Sequence, residues 1–249
     1  MESGSHSARD VITYHYRFTL ANGLERDFEL ALDNRTLNLI RKEREVYPKW
    51  TLLAYHKCPN CMLDQQEHKF CPVATGLMDV VDFFKTSISY EEVDVLIETQ
   101  ERRYLKHTTL QRGLSSLIGI YMVTSGCPTM EKLKPMVRHH LPFATLAETQ
   151  YRVLSMYVLA QYFLYRRGEK PDWELKKLVK IYEDIGTVNR HFSQRLSGIE
   201  AKDASVNALV HLDAFRDSVT LFINVNMLDE IELLFKAYFD QTNETKSRR

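Results

Sequence analysis

The chain is 249 residues long, enough for one large domain or two small ones. Its 44% hydrophobic and 27% charged content are ordinary for a globular protein with a sizeable core. Nine glycines and seven prolines are about half the usual share, which disfavours a turn-rich sandwich or a disordered chain and favours long helices. Thirty-three basic residues balance thirty-three acidic ones, so no general electrostatic grip on nucleic acid or anionic lipid is expected.

Residues 1–10 are polar and read as disordered, with no secretory signal expected. From Val11 the pattern alternates: Ile12, Tyr14, Tyr16, Phe18 and Leu20 share one face, and Phe28, Leu30 and Leu32 resume the period after Asn22-Gly23. Two period-2 runs about an Asn-Gly loop predict a β-hairpin. The stretch from Asn34 to Glu45 reads as a short charged helix or loop ended by Pro48, and Trp50 to Tyr55 as a third strand. Leu77, Val80, Val81 and Phe84 fall at helical spacing within 73–84. Val93, Val95 and Ile97, then Arg102, Tyr104 and Lys106, predict a second hairpin.

After Thr108 the texture becomes helical. Helices are predicted over about 109–124, from Pro128 to His140, and over 146–167, closed by Gly168. The apolar stretch 153–165 is too short to span a bilayer and reads as a buried helix. A fourth helix starts near Asp172 and carries Leu175, Leu178, Tyr182, Ile185, Asn189, Phe192 and Leu196 at steps of three and four. That is a helix-packing seam, able to join copies of the chain, with Asn189 fixing register. A fifth runs from about Asp203 to Tyr238 with Leu209, Leu212, Phe215, Val219 and Phe222 on its apolar face. The expected fold is α+β: a small antiparallel sheet of hairpins over 11–108, packed on a bundle of four to five helices over 109–240, with a polar tail at 241–249.

Four cysteines carry the chemistry. Cys58-Pro59-Asn60-Cys61 can present two thiolates to one metal from a tight turn, and Cys71 supplies a third corner. The fourth ligand is either His68, giving a site from one loop, or Cys127, giving an all-cysteine site that ties the two halves together. The start of a helix at Pro128 would favour a Cys127 thiolate. Zinc is the leading occupant; a cysteine-ligated iron–sulfur cluster is the alternative, without the compact ferredoxin run. A Cys58/Cys61 redox pair lacks its βαβ setting, and reduced cysteines can simply be buried as small hydrophobes.

Other candidates have plainer readings. Cys127 with His139 or His140 could pair nucleophile and base, though the histidines also suit a helix end. Asn207, His211 and Asp213 could form a polar patch, but helix-packing contacts are the simpler account. Glu148 and Arg152 read as an i,i+4 ion pair, and Tyr157, Tyr162, Phe163 and Tyr165 as core. Lys176, Lys177 and Lys180 are diluted by neighbouring acids. Phosphate-loop, dinucleotide, zinc-protease and serine-hydrolase motifs are missing.

The segments His56-Lys57-Cys58-Pro59-Asn60-Cys61, Cys71-Pro72-Val73-Ala74, Ser125-Gly126-Cys127-Pro128 and His140-Leu141-Pro142 resemble a bacterial family of unknown function. The likeness extends through Ser115-Ser116-Leu117 and Leu159-Ala160-Gln161-Tyr162-Phe163. It implies no activity, but it implies that Cys127 belongs with Cys58, Cys61 and Cys71. The resulting expectation is a cytoplasmic, non-enzymatic metal-binding module that engages a protein partner or its own copy through the bundle. The alternative is an iron–sulfur or thiol-dependent redox enzyme.

Overall fold

A computed structural model describes residues 11–41, 44–199, 202–224 and 228–239. The polar segments 1–10 and 241–249 lie outside the described residues, as does the side chain of Phe222. The predicted hairpins form: β1 (Val11–Leu20) with β2 (Glu25–Asp33), and β3 (Glu92–Glu98) with β4 (Arg103–Thr109). They join into one antiparallel sheet of order β2-β1-β3-β4. Register follows the period-2 pattern, with Tyr16 opposite both Phe28 and Ile97 and Phe18 opposite Val95. Tyr14, Tyr16, Phe18, Leu30, Val95 and Ile97 are buried on one face. The other face carries charge, including Arg17 Nε donating to Asp27 at 2.8 Å. Gly23 closes the first hairpin at φ +80°, a conformation that favours glycine, and Asn22 Oδ1 accepts from Leu24 N–H at 2.9 Å.

Helices cover the buried face. Short α1 (Pro72–Gly76) and α2 (Met78–Phe84) replace the single helix predicted over 73–84. The long α3 (Leu110–Thr124) lies close on the sheet at Gly113, where an added Cβ would sit 2.9 Å from Val95 Cγ2 and 3.0 Å from Phe18 Cε1. The helix predicted from Pro128 is instead a 3-10 turn, Met130–Leu133, followed by α4 (Lys134–Arg138). Then come α5 (Leu146–Arg166), α6 (Lys176–Ser197), α7 (Ala204–Asn224) and α8 (Leu228–Glu232). One core cluster takes in the sheet face, α1 to α3, and the inner sides of α6 and α7.

Several local expectations are corrected. Trp50–Tyr55 is no strand: Lys49–Thr51 is a 3-10 turn, and only Leu52 bridges to Phe70. The described part of 34–45 takes the loop rather than the helix of its two readings, with Leu39 bridging to Leu32. Helix α6 starts at Lys176 rather than near Asp172, because Leu175 takes a left-handed φ of +61°. Asp172 caps that helix from outside, accepting from Lys177 N–H at 2.7 Å and from Tyr157 Oη–H at 2.8 Å. The α6 seam is consumed within the chain: Leu178, Tyr182, Ile185, Phe192 and Leu196 are all buried against neighbouring elements. It is therefore not free to join copies.

Helix α5 departs furthest from its reading. Only Val153, Leu154, Tyr157 and Gln161 are buried in it. Tyr162 and Phe163 are each 47% exposed and Tyr165 is 63% exposed, with Tyr151, Val158 and Leu159 also open to solvent. Glu148 does not pair with Arg152 either. It closes a capping box with Thr145, accepting from its N–H at 2.7 Å, while Arg152 turns inward to the carbonyls of Met136 and His139.

Candidate functional site

The cysteine segment is shaped by backbone bonds before any sulfur is considered. Leu53 N–H donates to Lys69 O at 3.0 Å and Cys71 N–H to Thr51 O at 2.8 Å, so the chain leaves and returns side by side. Between them His56 sits at φ +48°, and Cys61 N–H donates to Cys58 O at 3.0 Å across the Pro59-Asn60 turn. Cys71 then becomes the cap residue of α1, with Pro72 in the first helical position. Cys127 follows Gly126, whose φ of +92° turns the chain after α3.

These three segments bring all four cysteines, as free thiols, to the wall of one small cavity of about 20 Å³. Val73, Val188 and Phe192 complete its apolar wall, and His68 is not on it. As the side chains stand, no group of three or more His, Cys, Asp or Glu among the described residues is arranged to hold a metal ion. Burial pushes the Cys58 thiol up to about 12, with the Cys71, Cys127 and Cys61 sulfurs adding to the shift. Burial likewise raises Cys127 to about 11, against backbone N–H groups of Met130 and Thr129 that favour the thiolate. The helix-start effect expected at Cys127 is thus present but outweighed by desolvation.

The cavity holds one side chain that spacing did not single out. Arg195, on α6, is 2% exposed and sits against the cysteine wall. Its Nη1 donates to Trp50 O at 2.6 Å and Leu52 O at 2.7 Å, and its guanidinium lies 5.8 Å from the Tyr55 ring centre. No ion pair joins it to a carboxylate among the described residues. The ionisable groups that act on it electrostatically are Cys71, Cys58, Tyr55 and Cys61. The available sequence signal was its place on an apolar stripe, three residues after Phe192 and seven after Val188.

The remaining candidates separate. His140 faces away from the cysteines: its Nε2 is 2.8 Å from Tyr16 Oη and 3.4 Å from Ser116 Oγ. Burial, with Arg152 nearby, drives its pKa down to about 3, while burial raises Tyr16. Cys127 and His140 line different cavities, so they make no nucleophile–base pair. Asn207 bonds Ser89 and Asp203, His211 approaches Ser115, and Asp213 pairs with Arg216, so these residues form separate contacts rather than one patch. A second, larger cavity of about 410 Å³ lies among α3, the segment through α4, and α5 to α7. His140, Arg152, Asn189 and His211 are on its wall. Asn189, read as a register residue, has its Oδ1 buried without a hydrogen-bond partner.

The fold is that of an α+β protein whose four cysteines line one small cavity between the 58–71 loop and the helical half. Residues 12–236 match the family described as Domain of unknown function (DUF6901), and the chain belongs to that family. No curated protein and no solved structure matches the chain. Among the described residues no helix is long and apolar enough to cross a membrane.

Proposed function

We propose that the four cysteines form a structural thiolate metal centre in a cytosolic, non-enzymatic module that engages a protein partner. The observation that carries it is the meeting of every cysteine in the chain, from three separate segments, on one cavity beside the buried Arg195. A four-thiolate donor set suits zinc, with Zn–S bonds of about 2.3 Å and hence sulfurs about 3.8 Å apart. The sulfurs are not at that spacing as the side chains stand, so binding would draw them together. Four thiolates around a divalent ion carry a net charge of about −2, which supplies the counter-charge that buried Arg195 lacks. Cys127 would then fasten the Cys58–Cys71 loop to the end of α3, a structural duty rather than a catalytic one.

Elemental analysis of the purified chain, with its absorption spectrum, tests the centre. The expected result is colourless protein with about one zinc per chain, and a lower melting temperature with lost metal in Cys127→Ser. Metal-free wild type overturns the reading. A brown preparation with iron and sulfide replaces it with an iron–sulfur centre.

The partner half of the reading rests on α5, whose Tyr151, Val158, Tyr162 and Tyr165 form one exposed stripe. A second copy of the chain is the simplest partner to measure. Sedimentation should show association that Tyr162→Ser with Phe163→Ser abolishes without lowering the melting temperature. Association that persists in that variant would move the interface elsewhere.

A further inference from the structure

We infer that the 410 Å³ cavity among α3 and α5 to α7 binds an amphipathic monocarboxylate, its head on Arg152 and its apolar body among the helices. Four observations carry this, and none involves the cysteine centre.

The first is size and texture. At about 30 Å³ per water-sized volume, the cavity holds roughly 14 non-hydrogen atoms. Its walls are mainly apolar, with Ile120, Val123, Leu133, Met136, Phe215 and Val219 among them. A site of this volume with few polar groups is the usual form of a small-molecule pocket.

The second is charge. Lys106, Arg112, Arg152 and Arg216 are on the wall, and no aspartate or glutamate is. Arg216 is already neutralised by Asp213 at 3.2 Å and Asp217 at 2.6 Å. Lys106 rests over the Phe143 ring at 5.6 Å. His140 and His211 both have pKa values lowered by burial, so neither adds a charge at neutral pH.

The third is the state of Arg152. It is partly buried, and burial lowers its pKa. Only its Nη2 donates among the described residues, to Met136 O at 2.8 Å and His139 O at 2.9 Å. Among the described residues Nε–H and Nη1–H keep their donors for an anion, each reaching one oxygen singly, because both bidentate edges of the guanidinium run through the committed Nη2. The acid four residues before it on α5, Glu148, is committed to Thr145 and makes no ion pair with Arg152. Arg152 is thus a partly desolvated cation that feels Glu148 electrostatically but makes no ion pair among the described residues, a cost that an incoming anion reduces.

The fourth is preorganisation. The Tyr16–His140 and Tyr14–Val137 bonds, both 2.8 Å, fix the segment after α4 to β1, which holds the polar end of the cavity without help from a ligand.

Isothermal titration of the full chain with dodecanoate, whose size meets the volume figure, tests the proposal. Dodecan-1-ol and dodecyltrimethylammonium serve as neutral and cationic probes of equal chain length. A single dodecanoate per chain is expected, with the alcohol at least tenfold weaker and the cation without saturable binding. Arg152→Met should weaken dodecanoate by about tenfold to a hundredfold, and Met136→Trp should block it by filling the cavity. Tyr90→Ser, at an exposed position before β3 and off the cavity wall, should leave it unchanged. No dodecanoate binding, equal binding of the three probes, or loss of binding in Tyr90→Ser with retention in Met136→Trp would overturn the proposal. The probe comparison uses wild type alone, so it decides even if Arg152→Met fails to fold.

Discussion

Replacing Arg195 by methionine removes a buried cation and its bonds to the Trp50 and Leu52 carbonyls at 2.6 and 2.7 Å; Leu52 O keeps the Tyr55 N–H at 3.1 Å, whereas Trp50 O loses its donor. The stranded Trp50 carbonyl costs about 1–3 kcal/mol and the lost second bond at Leu52 about 0.5–1.5 kcal/mol, or roughly 1.5–4.5 kcal/mol together. Against this stands the relief of no longer desolvating a guanidinium, for which apolar replacement of buried ions is worth about 1–4 kcal/mol. Methionine is of similar length and adapts to irregular space, so little is lost in packing. The net expectation is a destabilisation of about 0.5–2 kcal/mol, which lowers the melting temperature by roughly 1–8 °C in a chain of this size. Thermal unfolding followed by circular dichroism reads it, with metal content measured on the same samples. Arg195→Lys should lie between the two, since it keeps the charge but not the two-carbonyl fork. If Arg195 balances thiolate charge, Arg195→Met also loses metal that Arg195→Lys retains. A methionine variant with unchanged melting temperature and unchanged metal would refute both the carbonyl and the counter-charge arguments.

Three further outcomes follow from the packing. Thr145→Ala removes the α5 capping box and should cost about 1 kcal/mol, read as a shift of the urea midpoint at unchanged slope; no shift would mean the cap is satisfied by water. Gly113→Ala drives a Cβ to 2.9 Å from Val95 and 3.0 Å from Phe18, so it should destabilise by about 1–3 kcal/mol, and a neutral result in denaturation would show the α3–sheet contact to be loose. His140 has a folded pKa near 3, below its unfolded value of about 6.5. The unfolded chain therefore binds the extra proton between those values: this contribution is complete above about pH 6.5 and falls by up to about 1.4 kcal/mol per pH unit below it. Urea titrations from pH 7 to pH 4 should show a slope that His140→Phe flattens, and parallel curves for the two proteins would refute it.

The hairpins were legible because their period-2 pattern has one buried face, and each of Tyr14, Tyr16 and Phe18 found it. Helices α3 and α5 were bounded correctly by Gly126 and Gly168, both at positive φ. Trp50–Tyr55 misled because its apolar residues pack inward from a turn; Trp50 and Leu53 are buried without a ladder partner. The α5 aromatics misled for the converse reason, since an apolar stripe says what a surface prefers and not which element covers it. That Cys58, Cys61 and Cys71 share a cavity wall follows from their nearness in the chain; Cys127 was joined to them by the family resemblance and not by spacing. The carboxylate-free wall around Arg152 was not legible, because it is assembled from several helices and the segments between them, none of which carries a motif.

Helix α6 shows why a single seam was too simple a reading. Its residues Tyr182, Ile185 and Asn189 face the large cavity, while Val188, Phe192 and Arg195 face the cysteine cavity. At 3.6 residues per turn these two sets lie about 90° apart around the helix axis. The predicted seam runs through the first stripe but crosses to the second at Phe192, and the rest of the second stripe escapes a heptad count because Arg195 scores as a surface residue. A helix that walls two cavities needs a broader buried arc than a pairwise seam, and both arcs here hold polar groups, Asn189 in one and Arg195 in the other. Arg195 is met by the Trp50 and Leu52 carbonyls, whereas the Asn189 Oδ1 has no hydrogen-bond partner among the described residues. The polar interruptions in α6 therefore mark its two cavity-facing arcs, and the apolar steps between them hold the helix in place.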